Sequence, residues 1–116
     1  MNEPIPISFR PILEGVVGHM VEDDWERLVH DGMAPAHKSG EELSYWVRHY
    51  PGRLVPLPPE AWELSDCGRV DVEPDTWWVV VPLWTAEEGR SDLSLEATVR
   101  ERLGRISIQI DNVHVL

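Results

Sequence analysis

The amino-acid sequence predicts an α+β fold in which N-terminal helices pack on a curved antiparallel sheet of about four strands. In the first half of the chain, apolar residues recur every three to four positions, which is the spacing of a helix buried on one side. In the second half, apolar and polar residues alternate in segments separated by short polar turns, which is typical of antiparallel strands. Because the two patterns are segregated along the chain, they favour an α+β fold.

Two helices are predicted in the first 30 residues. The apolar stripe starts at Phe9 and continues to Val29, and three consecutive acids, Glu22, Asp23 and Asp24, interrupt it. We interpret Asp23 as the N-cap of a second, short helix over residues 24–30, because aspartate side chains accept hydrogen bonds from exposed amides at helix starts.

A third helix has a well-defined start and end. Ser39 and Glu42 have the spacing of a capping box, in which each side chain accepts a hydrogen bond from the other residue's backbone amide. Pro51 and Gly52 end the helix. Its buried stripe is predicted to contain Leu43, Trp46, Val47 and Tyr50.

The segment between the helices and the main strands carries weaker signals. Residues 53–57 are predicted as a short strand or extended link, and residues 58–62 as a helical turn with proline near its first position. Residues 65–68 are expected to form a loop. Alternation of apolar and charged residues over 69–73 predicts an edge strand.

Residues 77–84 form the predicted centre of the sheet, because this strand is apolar on both faces. One face carries Trp77, Val79, Val81 and Leu83, and the other carries Trp78, Val80, Pro82 and Trp84. Since proline cannot donate to a strand ladder, Pro82 predicts either a local loss of pairing or a bulge. A turn over 86–91, with Gly89 at a positive φ, leads to the next strand.

Two further strands complete the predicted sheet. Over residues 92–101 the inward-facing positions are Leu93, Leu95, Ala97 and Val99. Over residues 105–116 they are Ile106, Ile108 and Ile110. The apolar side then switches to Val113 and Val115, which predicts a bulge near Asp111 and Asn112.

Length and charge restrict the possible functions. A chain of 116 residues is expected to be a single domain, with residues 1–11 as a tail or an edge segment. The net charge of −11 argues against binding to nucleic acid or an anionic membrane, because both require a basic surface. Nine acids and two arginines lie between residues 60 and 92, which serves solubility or attracts a basic partner. The single cysteine, Cys67, fits a reducing compartment, so we expect the cytoplasm.

The pattern over residues 77–95, W-x-V-x-V-x-L-W-T-x-E-E-G-R-S-D-L-x-L with a second large residue at Trp78, resembles that of a family of small, uncharacterised bacterial domains. The similarity extends over about residues 12–116, including a V-x-x-D-W-E-R-L helical segment. The order of elements is also similar to cystatin-like and nuclear-transport-factor-2-like cones, in which helices and a curved sheet enclose a pocket. The family resemblance implies no catalytic residue.

Catalytic and metal-binding signals are weak. The five histidines lack the H-x-x-x-H spacing of a helical metal site, and Cys67 lacks any signature of a catalytic nucleophile. We therefore expect no cofactor and no metal, and we assign no catalytic residue. His114 is predicted to share the inward side of Ile106–Ile110 and to lie beside Asp111, where a His–Asp pair could carry out acid–base chemistry or simply close a strand end.

Three functional hypotheses follow from these patterns. The first is a non-enzymatic domain that binds a basic protein, for example an immunity or antitoxin-type protein. If helices leave one sheet face free, its contact residues would be Trp78, Trp84, Glu87, Glu88, Arg90 and Asp92; if helices cover that face, both tryptophans are core. The second is a small-molecule pocket, with or without enzymatic activity, lined by Trp77, Leu95, Ile108 and His114. The third is a homodimeric scaffold joined through the open sheet face.

Overall fold

The structure is a computed structural model and describes residues 3–35 and 37–115. A 3₁₀ turn at Ile7–Phe9 leads into three helices: α1 Arg10–Val21, α2 Trp25–His30 and α3 Gly40–His49. The strands are β1 Leu54–Val55, β2 Asp66–Arg69, β3 Thr76–Thr85, β4 Gly89–Arg102 and β5 Arg105–Val115, with a 3₁₀ turn at Pro59–Trp62 after β1. The predicted α+β class is confirmed. Leu116, the last residue of the predicted final strand, lies outside the described residues.

The sheet is antiparallel throughout and has the order β1-β3-β4-β5, with β2 also paired to β3. Strand β4 occupies one edge of β3, so β1 and β2 share the other edge at different positions along it. The strand that is apolar on both faces is therefore central, as predicted. The sheet has five strands because the short β1 and β2 both pair with β3.

The hydrophobic core lies between the helices and one face of the sheet, which we call the inner face. Leu13, Leu28 and Leu43, one from each helix, are fully buried against inner-face residues such as Leu83 and Leu95. Full burial of one such side chain stabilises the fold by about 1.5–3 kcal/mol relative to exposure. All inward positions predicted for β4 belong to this core.

The boundary between α1 and α2 differs from the prediction by one residue. Asp24 is the N-cap of α2, and its side chain accepts a hydrogen bond from the Arg27 amide. Asp23 instead has a left-handed backbone, with φ of 57°. Its carboxylate accepts hydrogen bonds from Trp25 Nε1 at 2.9 Å and from Arg48 Nε at 3.2 Å. Asp23 thus ties the α1–α2 turn to α3.

Helix α3 begins with the predicted capping box between Ser39 and Glu42. Its buried face, however, contains Gly40, Leu43 and Ser44, while Trp46 is 46% exposed. A Cβ at Gly40 would lie 3.3 Å from Trp25 Cβ, so α2 and α3 are in close contact there. This contact turns the Gly40 side of α3 inward, and the prediction that Trp46 is buried is wrong.

The predicted edge strand over 69–73 is also wrong, because β2 lies earlier in the chain and includes the residues expected to form a loop. Val72 is 88% exposed and lies in the turn between β2 and β3. The Glu3 amide donates a hydrogen bond of 2.8 Å to the Cys67 carbonyl, and Ile5 and Phe9 are buried in the core. The first residues described therefore pair with the edge of the sheet.

Strand pairing is irregular at both of the predicted places. The register between β3 and β4 shifts between Pro82 and Trp84. The register between β4 and β5 shifts beside Glu96, which leaves Asp111 opposite no residue of β4. The second bulge reverses the side to which the end of β5 points, so Val113 joins the core. Gly89 has the predicted positive φ, at 76°.

Candidate partner-binding surface

The face of the sheet opposite the helices, which we call the outer face, is formed by three rows of cross-strand neighbours. The rows are Trp78–Thr98–Gln109, Val80–Glu96–Asn112 and Pro82–Ser94–His114. None of these described residues belongs to the core cluster that the helices cover. The helices thus leave this face without a layer of its own, and it carries both apolar and polar side chains.

Trp78 and Trp84 both lie on the side of β3 that the helices do not cover. Trp78 is half-buried because its indole lies over β2; a Cβ at Gly68 would be 2.6 Å from three atoms of the ring. Trp84 lies opposite Val55 of β1 and Arg90 of β4 and is only 8% exposed. Trp78 therefore offers the more accessible aromatic surface of the two.

The β3–β4 hairpin is held to the segment that follows α3. Glu87 Oε1 accepts a hydrogen bond of 2.8 Å from the Arg53 amide, and the Ala86 amide donates to the Arg53 carbonyl at 2.9 Å. The Arg53 amide stabilises the ionised carboxylate and lowers the pKa of Glu87. One lone pair of Glu87 is therefore used within the fold.

Tyr50 makes a second link between α3 and this hairpin. Its hydroxyl donates to Glu88 Oε1 and accepts from the Asp92 amide at 3.1 Å. The Asp92 amide favours the phenolate, but the bond to the Glu88 carboxylate, desolvation and the nearby negative charges together raise the pKa of Tyr50. Two of the predicted contact residues, Glu88 and Asp92, are thus positioned by the same tyrosine.

Arg90 and Asp92 are exposed beside an irregular part of β4. Ser91 Oγ donates to the Leu83 carbonyl at 2.8 Å and accepts from the Leu93 amide at 3.1 Å, which stabilises the local irregularity. Arg90 and Asp92 line an open cleft of about 390 Å³ together with Pro82, Ser91 and Ser94. The structure thus brings five of the six predicted contact residues together at the hairpin end, where four are exposed and Trp84 is buried. Trp78 lies about 20 Å further along β3, at roughly 3.3 Å per residue.

The residues predicted to line a pocket do not converge. Trp77, Leu95 and Ile108 are buried members of the packed core, and Trp77 meets Phe9 edge to face at 5.2 Å. His114 lies on the opposite face, because the bulge at Asp111 reverses the side to which the end of β5 points. The prediction that His114 shares the inward side of Ile108 is therefore wrong.

His114 pairs with a glutamate instead of with Asp111. Its Nε2 is hydrogen-bonded to Glu96 Oε1 across the outer face. The Asp111 carboxylate accepts from Thr98 Oγ1 at 2.7 Å and from Gln109 Nε2 at 3.0 Å, so it supports the bulge. The expected His–Asp pair is replaced by a cross-strand His–Glu pair.

The outer face has opposite charges at its two ends. The β3–β4 end carries Glu88 and Asp92. At the β4–β5 turn, Arg102 and Arg105 are direct cross-strand neighbours, and Arg100 forms an ion pair with Glu73 at 3.3 Å. A basic partner would be repelled from the arginine end, and a steered approach would lead to the acidic end.

Side chains suited to catalysis or metal binding are dispersed. Over residues 3–35 and 37–115, no group of three or more His, Cys, Asp and Glu side chains is placed to hold a metal ion. Cys67 is buried, and desolvation, followed by the charge of Glu3, raises the pKa of its thiol. A raised pKa disfavours the nucleophilic thiolate.

Tyr45 and Trp46, on the solvent side of α3, form an exposed aromatic pair that the sequence analysis missed. Tyr45 is 53% exposed, and its ring meets Trp46 edge to face at 5.8 Å. The sequence does contain a signal for the exposure of Trp46. Gly40, Leu43 and Ser44 follow helical spacing, and small residues permit close helix contacts, so these three residues mark the buried face of α3. That stripe places Trp46 outside the buried face.

A family model described as Domain of unknown function (DUF7668) matches residues 17–116. The chain belongs to this family. The predicted resemblance to an uncharacterised domain family is confirmed at that level. Comparisons with curated proteins and with solved structures gave no match.

The match to the DUF7668 model includes every strand, α2, α3 and the C-terminal part of α1 from Val17 onward. All six predicted contact residues and the exposed aromatic pair lie within the matched region. In the described part of the DUF7668 chain, no helix combines the length and apolar character needed to span a membrane.

Proposed function

We propose that this DUF7668 domain is a non-enzymatic binding domain that contacts a basic protein partner. The observation that carries the proposal is that the helices cover the inner face and not the outer face, at whose end Glu88, Arg90 and Asp92 are exposed. Trp78 supplies accessible aromatic area, and aromatic side chains are enriched in protein interfaces. The net charge of −11 would accelerate association with a cation-rich surface.

The proposed contact centres on the β3–β4 hairpin. Hydrogen bonds with Tyr50 and Arg53 link this hairpin to the end of α3 and the segment after it. A preorganised surface loses less conformational entropy on binding, so a larger part of the contact energy contributes to affinity. Arg90, next to the acidic side chains, would pair with a carboxylate of the partner and add directional specificity.

A specific form of the proposal is an immunity or antitoxin-type protein that acts in the cytoplasm and covers a basic toxin. Such a role requires a small, preformed, acidic surface and no catalytic centre. The acidic composition and the fixed hairpin support this form of the proposal.

The pocket hypothesis and the dimer hypothesis remain predictions. Element order still supports a fold-level relation to cystatin-like or nuclear-transport-factor-2-like cones, but Trp77, Leu95 and Ile108 fill the core between helices and sheet. A homodimer would use the same outer face as the proposed partner, so it would compete with partner binding.

A tagged form of the chain, used to capture proteins from its native host's lysate at low and at high salt, tests the proposal. We expect one stoichiometric basic partner, identified by mass spectrometry, whose recovery falls at high salt because screening weakens exposed charge pairs. Recovery of no protein at either salt concentration would contradict the proposal and favour the pocket hypothesis.

A further inference from the structure

The solvent side of α3 presents a continuous group of three rings. Tyr45 and Trp46 are about half exposed, and the Tyr45 ring lies 4.3 Å from the His49 ring at an angle of 32°. His49 Nδ1 is also hydrogen-bonded to the Tyr45 carbonyl at 2.7 Å, which helps to hold this arrangement. Large exposed aromatic groups that are fixed in position are typical of interaction sites.

The two aromatic side chains border a cleft of about 620 Å³ between the start of α3 and strand β5. The other lining residues are Lys38, Ser39, Glu41, Glu42 and Asn112. Because Asn112 belongs to the outer face, the cleft adjoins the surface that we propose for partner binding.

The charged side chains in this cleft differ in whether they have a hydrogen-bond partner within the fold. Lys38 is half-buried, and its Nζ donates to the Asp111 carbonyl at 3.2 Å. The Glu42 carboxylate accepts from Ser39 in the capping box. Among the described residues, the Glu41 carboxylate has no hydrogen-bond or ion-pair partner, and it is exposed and lines the same cleft as Trp46. The cleft therefore combines one free carboxylate with accessible aromatic faces.

We propose that this cleft receives an arginine side chain of the basic partner, with its guanidinium stacked on Trp46 and paired with Glu41. This inference rests on the proposed function and adds a second contact point to it. Guanidinium is preferred over ammonium here, because it is planar, stacks on aromatic rings and binds a carboxylate through two hydrogen bonds. The attraction of a cation to the ring face adds to the charge pairing.

The test uses an acetylated, amidated tetra-arginine peptide, titrated into ¹⁵N-labelled protein and followed by NMR. We expect the Trp46 indole signal and the amides of α3 to shift, with weaker binding at high salt and weaker binding of tetra-lysine. Trp46→Ala and, separately, Glu41→Gln are expected to weaken binding about two- to fivefold, as for one exposed cation–π contact or ion pair. Val72→Ala, at an exposed apolar residue outside the cleft, is the matched control and should leave binding unchanged.

Each other outcome contradicts the inference in an identifiable way. Shifts confined to Trp78 and the β3–β4 hairpin, with no effect of Trp46→Ala, would exclude the cleft but leave the proposed function intact. Shifts of the Trp46 signal with protein concentration alone would place a second copy of this chain in the cleft instead. Equal effects of Val72→Ala and Trp46→Ala would show non-specific attraction, and an absence of shifts would show no arginine site.

Discussion

At the scale of single residues, the contact between Gly68 and Trp78 determines how much of the outer face is aromatic. The indole fits over β2 only because residue 68 has no side chain. A glycine inside a strand usually weakens the strand, but an aromatic ring packed over it compensates by covering the exposed backbone. The same contact keeps the Trp78 ring in one position for a partner.

Gly68→Ala is therefore expected to destabilise the domain by about 1–3 kcal/mol, because the new Cβ would overlap the indole. Gly15→Ala is the matched control: nothing lies within 4 Å of the added Cβ, and alanine in helix α1 should stabilise by about 0.5–1 kcal/mol. Urea unfolding measures both effects. Equal stability of the two variants would show that Trp78 does not occupy this position.

Glu87 links the stability of the hairpin to pH. Its pKa is lowered in the folded state by the Arg53 amide, so it stabilises the fold above the usual glutamate pKa. That stabilisation is lost as the pH falls through the lowered folded pKa. Glu87→Gln should thus be less stable than the unchanged protein at pH 7, and the difference should shrink as the pH falls below about 4.5. Urea midpoints between pH 7 and pH 3 test this, and a difference that does not vary with pH would contradict it.

At the scale of elements, local chemistry made some features predictable. The capping box of α3 depends on two side chains three positions apart, and the Pro82 bulge follows from a missing amide. The position of β2 depends on the Trp78 ring covering Gly68, and the rotation of α3 depends on its contact with α2 at Gly40. These contacts join residues that are distant in sequence, so spacing within one segment could not predict them.

The same distinction applies to the candidate site. Alternation along β3 and β4 predicted which residues share the outer face. Tyr50, which joins Glu88 and Asp92, was expected only as a buried helix residue, because its hydroxyl partners lie about 40 positions away in the chain. His114 was predicted on the inner face because the alternation of Ile106–Ile110 was continued past Asp111. The bulge at Asp111 reverses that alternation, so His114 lies on the outer face.

Loss of the N-terminal cap should destabilise α3. Ser39 Oγ accepts a hydrogen bond of 3.2 Å from the Glu42 amide, so Ser39→Ala is expected to cost about 1 kcal/mol. Ser107→Ala, at an exposed serine of β5 whose hydroxyl has no partner among the described residues, should change stability by less than about 0.5 kcal/mol. Thermal unfolding followed by circular dichroism compares the two, and equal melting temperatures would contradict the role of the cap.

At the scale of the whole molecule, the proposed function places stability and recognition in different parts of the fold. The three helices and the inner face supply the core, whereas the hairpin carries exposed acidic groups and the solvent side of α3 carries exposed aromatic groups. The outer face adds the half-buried Trp78. Substitutions of exposed side chains on the recognition side can therefore alter binding while the core stays intact. In the proposed complex, steering by net charge would act on the rate of association, and the hairpin contacts would act on the lifetime of the complex.

The most direct test of the central claim is the affinity of the captured basic partner for the unchanged protein and for two charge-reversal variants. Asp92→Lys alters the acidic end of the outer face, and the Asp92 carboxylate has no hydrogen-bond partner among the described residues, since the bond to Tyr50 uses the backbone amide. Glu14→Lys makes the same change in net charge at an exposed position of helix α1. We predict at least about tenfold weaker binding for Asp92→Lys at low salt, a change of about 1.4 kcal/mol, and a much smaller effect for Glu14→Lys. Equal weakening by both variants, or by neither, would contradict a binding surface at this hairpin.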